Sequence, residues 1–487
     1  MDLKEASRIN RMNGGPIGLV NTGSSDYIYR LKMDKKAQLS ASIVAGLAAF
    51  LAPFMGASVN IALPSIGREF NADAVMLGWV ATAYILAAAV FLVPFGKLAD
   101  IHGRKKIFLL GIFVYTAASV LCALAASTWV LIGFRVLQGA GAALIFGTSV
   151  AILTSVFPPG KRGRALGINT ASTYLGLSLG PVLGGLLTQQ YGWRSIFLIN
   201  LPLGLIIIAF VLAMLKGEWA EARGERFDLF GAAFYGLTLI GIMLGFSRLP
   251  NKSGFLLFAA GIVLAAGFVL REMRTNNPLL RIELFLENRV FAFSNLAALI
   301  NYSATFAVGF FVSLYLQYLK GMSPRSAGLV LIAQPVVMTF FSPFAGRVSD
   351  KIEPRIVASL GMAISSLGLL LLAFLRADSA LAFVIASLVV LGFGFALFSS
   401  PNTNAVMSSV EKRFYGVASA TLGTMRLVGQ TLSMGIAMLI FGVLVGRVQI
   451  TAANQGSFLQ GVRTGFIIFA ALCFAGVFAS LARGNRK

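Results

Sequence analysis

Acidic side chains are scarce in this chain: its 487 residues hold 18 Asp and Glu against 40 Lys and Arg, with one histidine and two cysteines. That scarcity excludes several kinds of chemistry. A metal centre or an acid–base active site needs several His, Cys, Asp or Glu side chains converging on one point. Here His102 stands alone, and Cys122 and Cys473 lie far apart inside apolar stretches, so neither a metal site nor a disulfide framework is implied. No Gly-x-x-x-x-Gly-Lys-Ser/Thr phosphate loop is present, so ATP is not the expected driver and no cofactor is expected. Charge of either sign is rare at 12% of residues, where a soluble domain carries about a quarter.

What the chain has in abundance is hydrocarbon, with 57% hydrophobic residues. A helix needs roughly 20 apolar residues to cross a bilayer, and the apolar mass falls into blocks of that length. They begin near Ser40, Val75, Ile107, Trp129, Ala165, Ser195, Asp228, Ser253, Val290, Ser326, Ile356, Ala380, Gly416 and Arg463. The expectation is an all-α polytopic membrane protein with fourteen transmembrane helices. A closed barrel would show short alternating segments instead, and continuous runs such as Leu369 to Ala373 do not fit it.

A net charge of +22 would suggest nucleic acid in a soluble protein, but the basic residues cluster on alternate connections. Arg104 to Lys106, Lys161 to Arg164, Arg271 to Arg289 and Arg347 to Arg355 share one side with both chain ends, while the other side is sparsely charged. By the positive-inside rule both termini are expected in the cytoplasm, with the protein in the cell membrane. Lipid headgroups then account for the charge, and nucleic acid is not an expected partner.

Two stretches repeat. Gly96-Lys-Leu-Ala-Asp100 and Gly346-Arg-Val-Ser-Asp350 both close an apolar helix at a basic turn, so the chain reads as two related halves. The blocks from Asp228 and Ser253 have no counterpart. The expected organisation is a tail over 1–36, a six-helix bundle over 37–215, two additional helices with linkers over 216–289, a second six-helix bundle over 290–482 and a tail over 483–487.

Gly96 to Lys106, with Gly103, Arg104 and Lys105 after the acid, resembles the loop between helices two and three that marks the major facilitator superfamily. Leu131 to Ala143, centred on Arg135, resembles that family's fourth-helix motif. Tyr174 to Gly185, with Gly176, Gly180, Pro181, Gly184 and Gly185, is similar to the fifth-helix motif of its antiporters. Trp193 to Gly204 looks like the start of helix six in its fourteen-helix drug:proton antiporter group, and the resemblance spans about residues 40 to 482. It implies alternating access, efflux of drug-like molecules, and a conformational role for the Gly96 to Lys106 loop. Two positions depart from the pattern: Ile101 stands where the family has a basic residue, and Met55 stands where the drug:proton group carries an acid in helix one.

No acid lies deep in any apolar block, whereas Arg135 and Arg426 do. An arginine at a helix centre costs about 2.5–3.5 kcal/mol to insert, so it should face a cavity or a partner. Gln430 shares a face with Arg426. Asn60, Tyr84, Tyr174, Asn301, Tyr302, Gln334 and Asn402 are further polar candidates for lining a central path. The expected function is secondary transport, by a monomer acting as an exporter, of a small amphipathic molecule. Two fixed positive charges without a deep acid favour an anionic or neutral substrate. The alternative is a proton-coupled multidrug antiporter for organic cations, in which Asp100, Glu69 or Asp73 would carry the coupling proton. A membrane-embedded transferase would want an acid, His or Cys set at a membrane face, and the chain offers none, so it is not expected to be an enzyme.

Overall fold

The computed structural model describes residues 23–157, 162–215, 217–220, 222–275, 278–411 and 414–484; side chains are described for these except 23–37, 162–166 and 350. Among the described residues there is no strand. In chain order the long helices are α1 (Gly23–Phe70), α2 (Ala74–His102), α3 (Arg104–Ala123), α4 (Thr128–Val156), α5 (Arg162–Tyr191), α6 (Ser195–Met214), α7 (Leu229–Arg248), α8 (Lys252–Glu272), α9 (Arg289–Leu319), α10 (Pro324–Ser349), α11 (Pro354–Ala373), α12 (Leu381–Ser408), α13 (Tyr415–Leu444) and α14 (Gln455–Leu481). All but α5 are long and apolar enough to cross a membrane by composition alone. α5 is a 30-residue helix whose Gly, Ser and Thr lower its hydropathy, yet it lies along α1 as a full partner.

Local chemistry sets the helix boundaries. Asp73 caps α2 by accepting the Met76 N–H at 2.7 Å, Ser127 caps α4, Asn288 caps α9, and Ser323 caps α10 with Pro324 in its first turn. Each satisfies a backbone donor that hydrocarbon would leave bare. Two boundaries differ from the sequence expectation. α1 starts at Gly23 rather than near Ser40, so much of the expected tail continues the first helix. α14 starts at Gln455 rather than Arg463, because its first two turns are too polar to register as an apolar block. α9 is interrupted at Phe306 and Ala307 and ends in a π-helical turn over Tyr315–Leu319.

The helices alternate between a face that holds the start of α1 and the end of α14, here the terminal face, and the opposite face. α1 packs along α5, α4 packs on α2 and α3, and α6 packs on α3 and α1. In the later part, α9 packs on α13 and α14, α12 on α10 and α11, and α11 on α14. α7 and α8 pack on each other, and α7 also touches α2 and α13. The Tyr235 hydroxyl donates to the Ala89 carbonyl at 2.9 Å, and Gly435 faces Met243 and Phe246. This pair of helices therefore leans on both an early helix, α2, and a late one, α13.

Candidate functional site

The glycine stripe of α5 is a packing device in two directions. A Cβ on Gly176, Gly180 or Gly184 would stand 2.5–2.7 Å from atoms of Phe50, Ala57 or Ser58 on α1, and the Ser58 hydroxyl donates to the Gly180 carbonyl. On the adjoining face, a Cβ on Gly185 would meet the Pro324 carbonyl at 2.5 Å, and one on Gly328 would meet the Pro181 carbonyl at 2.1 Å. Those last two contacts join the early helices to the late ones near the opposite face. Ser313 donates to the Asn60 carbonyl and Gln317 to the Ile61 carbonyl in the same half, and Met438 fills the space before Gly78. On the terminal half, by contrast, a Cβ on Gly96, Gly167 or Gly416 would meet nothing within 4 Å. The closest backbone approaches between the two groups lie near the opposite face.

Near mid-membrane, aromatic and polar side chains from both groups meet. Tyr174 of α5 packs with Met338 and Phe395, and its hydroxyl lies 3.2 Å from the Ser399 hydroxyl. Tyr302 stands edge-on to Phe395 at 5.4 Å. The Arg426 guanidinium lies 5.5 Å from the Tyr302 ring centre and donates to the Thr403 hydroxyl at 3.3 Å. Its Nε is buried with no hydrogen-bond partner among the described residues. A cation held over an aromatic ring with a spare donor is an acceptor-seeking site.

Arg135 has a different setting. It is 1% exposed, donating to the Val80 carbonyl at 3.1 Å and to Gln138 Oε1 at 2.6 Å. Its guanidinium is 4.4 Å from the Tyr84 ring centre. Gln138 passes the chain on to Ser119. Backbone and side-chain oxygens with an aromatic face stabilise the charge inside the first group, so Arg135 and Tyr84 are not part of the mid-membrane cluster. Asn301 is fully buried against Cys473. Asn60 faces Gly309 across the seam, and Gln334 backs onto Gly392. Asn402 is buried with its Oδ1 unpartnered among the described residues, while Gln430 is half-buried one turn beyond Arg426.

Of the sequence candidates, the structure gathers Tyr174, Tyr302 and Arg426 into one cluster. Met338, Phe395, Ser399 and Thr403 complete it and were not singled out by sequence. Phe395, Ser399 and Asn402 recur at helical spacing on α12, a signal obscured by the isolated weakness of each residue.

The Gly96 to Lys106 loop is occupied by the segment after α6. Asp100 accepts from Arg104 at 2.8 Å, Arg104 also donates to Ser155, and Lys97 pairs with Glu225. The Glu218 carboxylate accepts the N–H groups of Lys105 and Lys106, where the start of a helix favours an anion. The Ala222 N–H reaches the Asp100 carbonyl. Gly103 has φ 114, and a Cβ there would stand 2.6 Å from the Glu218 carboxyl, so both torsion and space require glycine. In the second copy, Ser349 donates to the Gly346 carbonyl and receives a hydrogen bond from Asn404; the side chain of Asp350 lies outside the described residues.

Met55 is fully buried, with the Asn200 amide donating to its sulfur at 3.0 Å. The edge carboxylates have structural partners: Glu69 with Trp193 and Arg194, and Asp73 with the start of α2. No group of three or more His, Cys, Asp or Glu side chains that could hold a metal ion is found among the described residues.

Comparison with known proteins places these features in context. The sequence profile of the Major Facilitator Superfamily matches residues 45–286 and 294–487. The riboflavin transporter RibZ of Clostridioides difficile (strain 630) is 30% identical over 435 residues, covering 89% of this chain and 95% of that protein. The cephamycin export protein CmcT of Amycolatopsis lactamdurans is 34% identical over 419 residues, covering 83% and 85%. A crystal structure of a bacterial homologue of the human lysosomal transporter Spinster, inward-facing and unoccupied, superposes with a TM-score of 0.67 at 17% identity, covering 93% of this chain and 97% of that one. At that identity the likeness speaks to the fold alone.

Proposed function

The chain belongs to the Major Facilitator Superfamily, and from that membership we propose that its substrate is an anionic or neutral amphipathic molecule with an aromatic part, bound at mid-membrane against Arg426. That it is an integral membrane secondary transporter of the exporter kind, and not an enzyme, follows from the relatives it matches. The observation that carries the substrate reading is the half-buried Arg426 guanidinium, with a donor to spare, beside Tyr302, Tyr174 and Phe395. An anionic group on Arg426 would be held in a low-dielectric site where charge-assisted hydrogen bonds are strong. An aromatic portion would stack on the tyrosines. RibZ and CmcT are named for riboflavin and cephamycin, and a planar or acidic amphipath is consistent with both names.

The basic connections on the terminal face support its assignment as cytoplasmic, which would put the tight seam between the two groups on the outer side. The partition into 37–215, 216–289 and 290–482 is part of the same proposal, as is action by a monomer. A proton-coupled pump for organic cations is disfavoured by Met55 in place of a buried acid and by the structural engagement of Glu69, Asp73 and Asp100.

The test is a thermal-shift panel of amphipathic anions, neutral lipophiles and organic cations on the purified protein and on Arg426→Gln. Anions stabilising only the wild type is the expected result. Cations stabilising both proteins equally, with anions inert, would overturn the reading. Proton flux across proteoliposomes during substrate movement would restore the coupled alternative.

A further inference from the structure

We propose that the cleft between α7 and α8 at the terminal face binds the phosphate and upper acyl chain of an anionic phospholipid from the adjoining leaflet. The helix pair is pinned in its other half by backbone approach. A Cβ on Gly245 would meet Phe258 at 2.8 Å, one on Gly261 would meet Ile242 at 2.8 Å, and one on Gly254 would meet the Arg248 carbonyl carbon at 2.6 Å. Toward the terminal face the pair is joined again, by the Arg271–Asp228 ion pair and at Gly231, whose Cβ would stand 2.9 Å from Glu272 Oε1, and a hollow remains beside these contacts. There a Cβ on Gly267 would meet only the Phe234 ring, at 3.3 Å. The hollow is a cavity of about 420 Å³ lined by Phe234, Gly267, Leu270, Arg271, Arg274 and Thr275.

Its lining divides into an apolar floor and a basic rim. Leu270, with Phe230, Val269 and Met273 nearby, exposes its side chain outward, and because α8 packs principally on α7, that surface faces lipid. The Arg274 side chain is exposed and makes no ion pair or hydrogen bond among the described residues. Arg271 is half-buried and uses its Nε and one terminal nitrogen on Asp228, leaving the other terminal nitrogen free among the described residues. None of the nearby carboxylates pairs with Arg274 among the described residues: Asp228 is taken by Arg271, Glu225 is paired with Lys97, and Glu272 is buried, with one oxygen accepting the Leu280 N–H and the other turned to Gly231. Arg223 and Arg226 add further positive charge just before α7. A basic rim over an apolar cleft at the membrane boundary is complementary to a phosphodiester carrying acyl chains. A soluble phosphate would use the rim and leave the floor bare.

The test uses the full chain, purified in detergent and supplemented with phosphatidylcholine alone or mixed with phosphatidylglycerol, with retained lipid counted by native mass spectrometry. Wild type should retain phosphatidylglycerol in preference to phosphatidylcholine. Arg274→Gln should lower that retention by roughly fivefold, the worth of one basic residue near a charged surface. Gly267→Leu, which fills the cleft, should abolish it, while Lys252→Gln at the other end of α8 should leave it unchanged. Gly267→Ala serves if the leucine variant fails to fold. Equal retention by wild type and both cleft variants would overturn the proposal. So would displacement of the lipid by glycerol phosphate at millimolar concentration, which would mean that the rim alone makes the site.

Discussion

Replacing Gly328 with alanine isolates the contact on which the observed conformation rests. The added methyl would lie 2.1 Å from the Pro181 carbonyl oxygen, and because that atom is backbone within α5, only movement of α10 away from α5 relieves the clash. Overpacking at a tight contact costs about 1–3 kcal/mol. Here the cost falls on the conformer sealed at the opposite face and is absent once the groups part. The ratio of sealed to parted conformers should therefore drop by a factor of roughly 5 to 150. Spin labels at Gln190 and Arg325, both exposed beside the contact, would report it, with the buried Cys122 and Cys473 left in place. The alanine variant should gain a longer-distance population by double electron–electron resonance. Gly361→Ala is the control, since its methyl would crowd Phe398 at 2.5 Å within the later group. It should lower the melting temperature without lengthening the distance. An unchanged distribution in a folded Gly328→Ala protein would refute the idea that this seam holds the conformer closed.

Gly103→Ala places a side chain at φ 114 against the Glu218 carboxyl, so the segment after α6 should detach from the loop. Hydrogen exchange at the amides of Lys105, Lys106 and Ala222 should rise by at least about tenfold, and unchanged protection would contradict the contact's importance. Arg135→Met leaves the Val80 carbonyl and Gln138 Oε1 without their donor, a loss of about 2–4 kcal/mol. The folded fraction should still bind substrate; Arg426→Gln should do the reverse, and a calorimetric titration of both variants separates the roles. At the start of α7, burial pushes the Asp228 carboxyl up, but hydrogen bonds from Arg271 and the Gly231 N–H, with the Arg271 charge, leave it below its ordinary value. Its contribution is thus present above about pH 4 and is lost as pH falls through the depressed value. Asp228→Asn keeps a capping oxygen, so with solvent screening it should cost roughly 0.5–1 kcal/mol at pH 7 and progressively less as pH falls below about 4; a deficit that does not shrink on acidification would refute the assignment.

How much of this was legible in sequence depends on whether the responsible force acts along the chain or across it. Lipid requires each crossing to satisfy its own backbone, so the thirteen helices apolar enough to cross among the described residues could be counted from apolar length, and α5, whose hydropathy is lower, was read as a block from Ala165. The start of α14 was missed because its polar first turns sit where hydrocarbon no longer selects composition. The segment after α6 read as a linker, since nothing in its sequence reports that Glu218 would sit on the N–H groups of Lys105 and Lys106.

The two membrane arginines show the limit most clearly. Both interrupt apolar helices, and insertion cost treats them alike. What distinguishes them is the supply of acceptors. Gln138 lies one turn from Arg135 on its own helix, and the Val80 carbonyl and Tyr84 ring arrive from α2, so that charge is satisfied within one group of helices. Arg426 receives the Thr403 hydroxyl from α12 and both the ring and a side-chain hydrogen bond of Tyr302 from α9, and its Nε is left unpartnered among the described residues. A half-buried cation with an unused donor favours an added acceptor, and this is the observation on which the proposed substrate site at Arg426 rests.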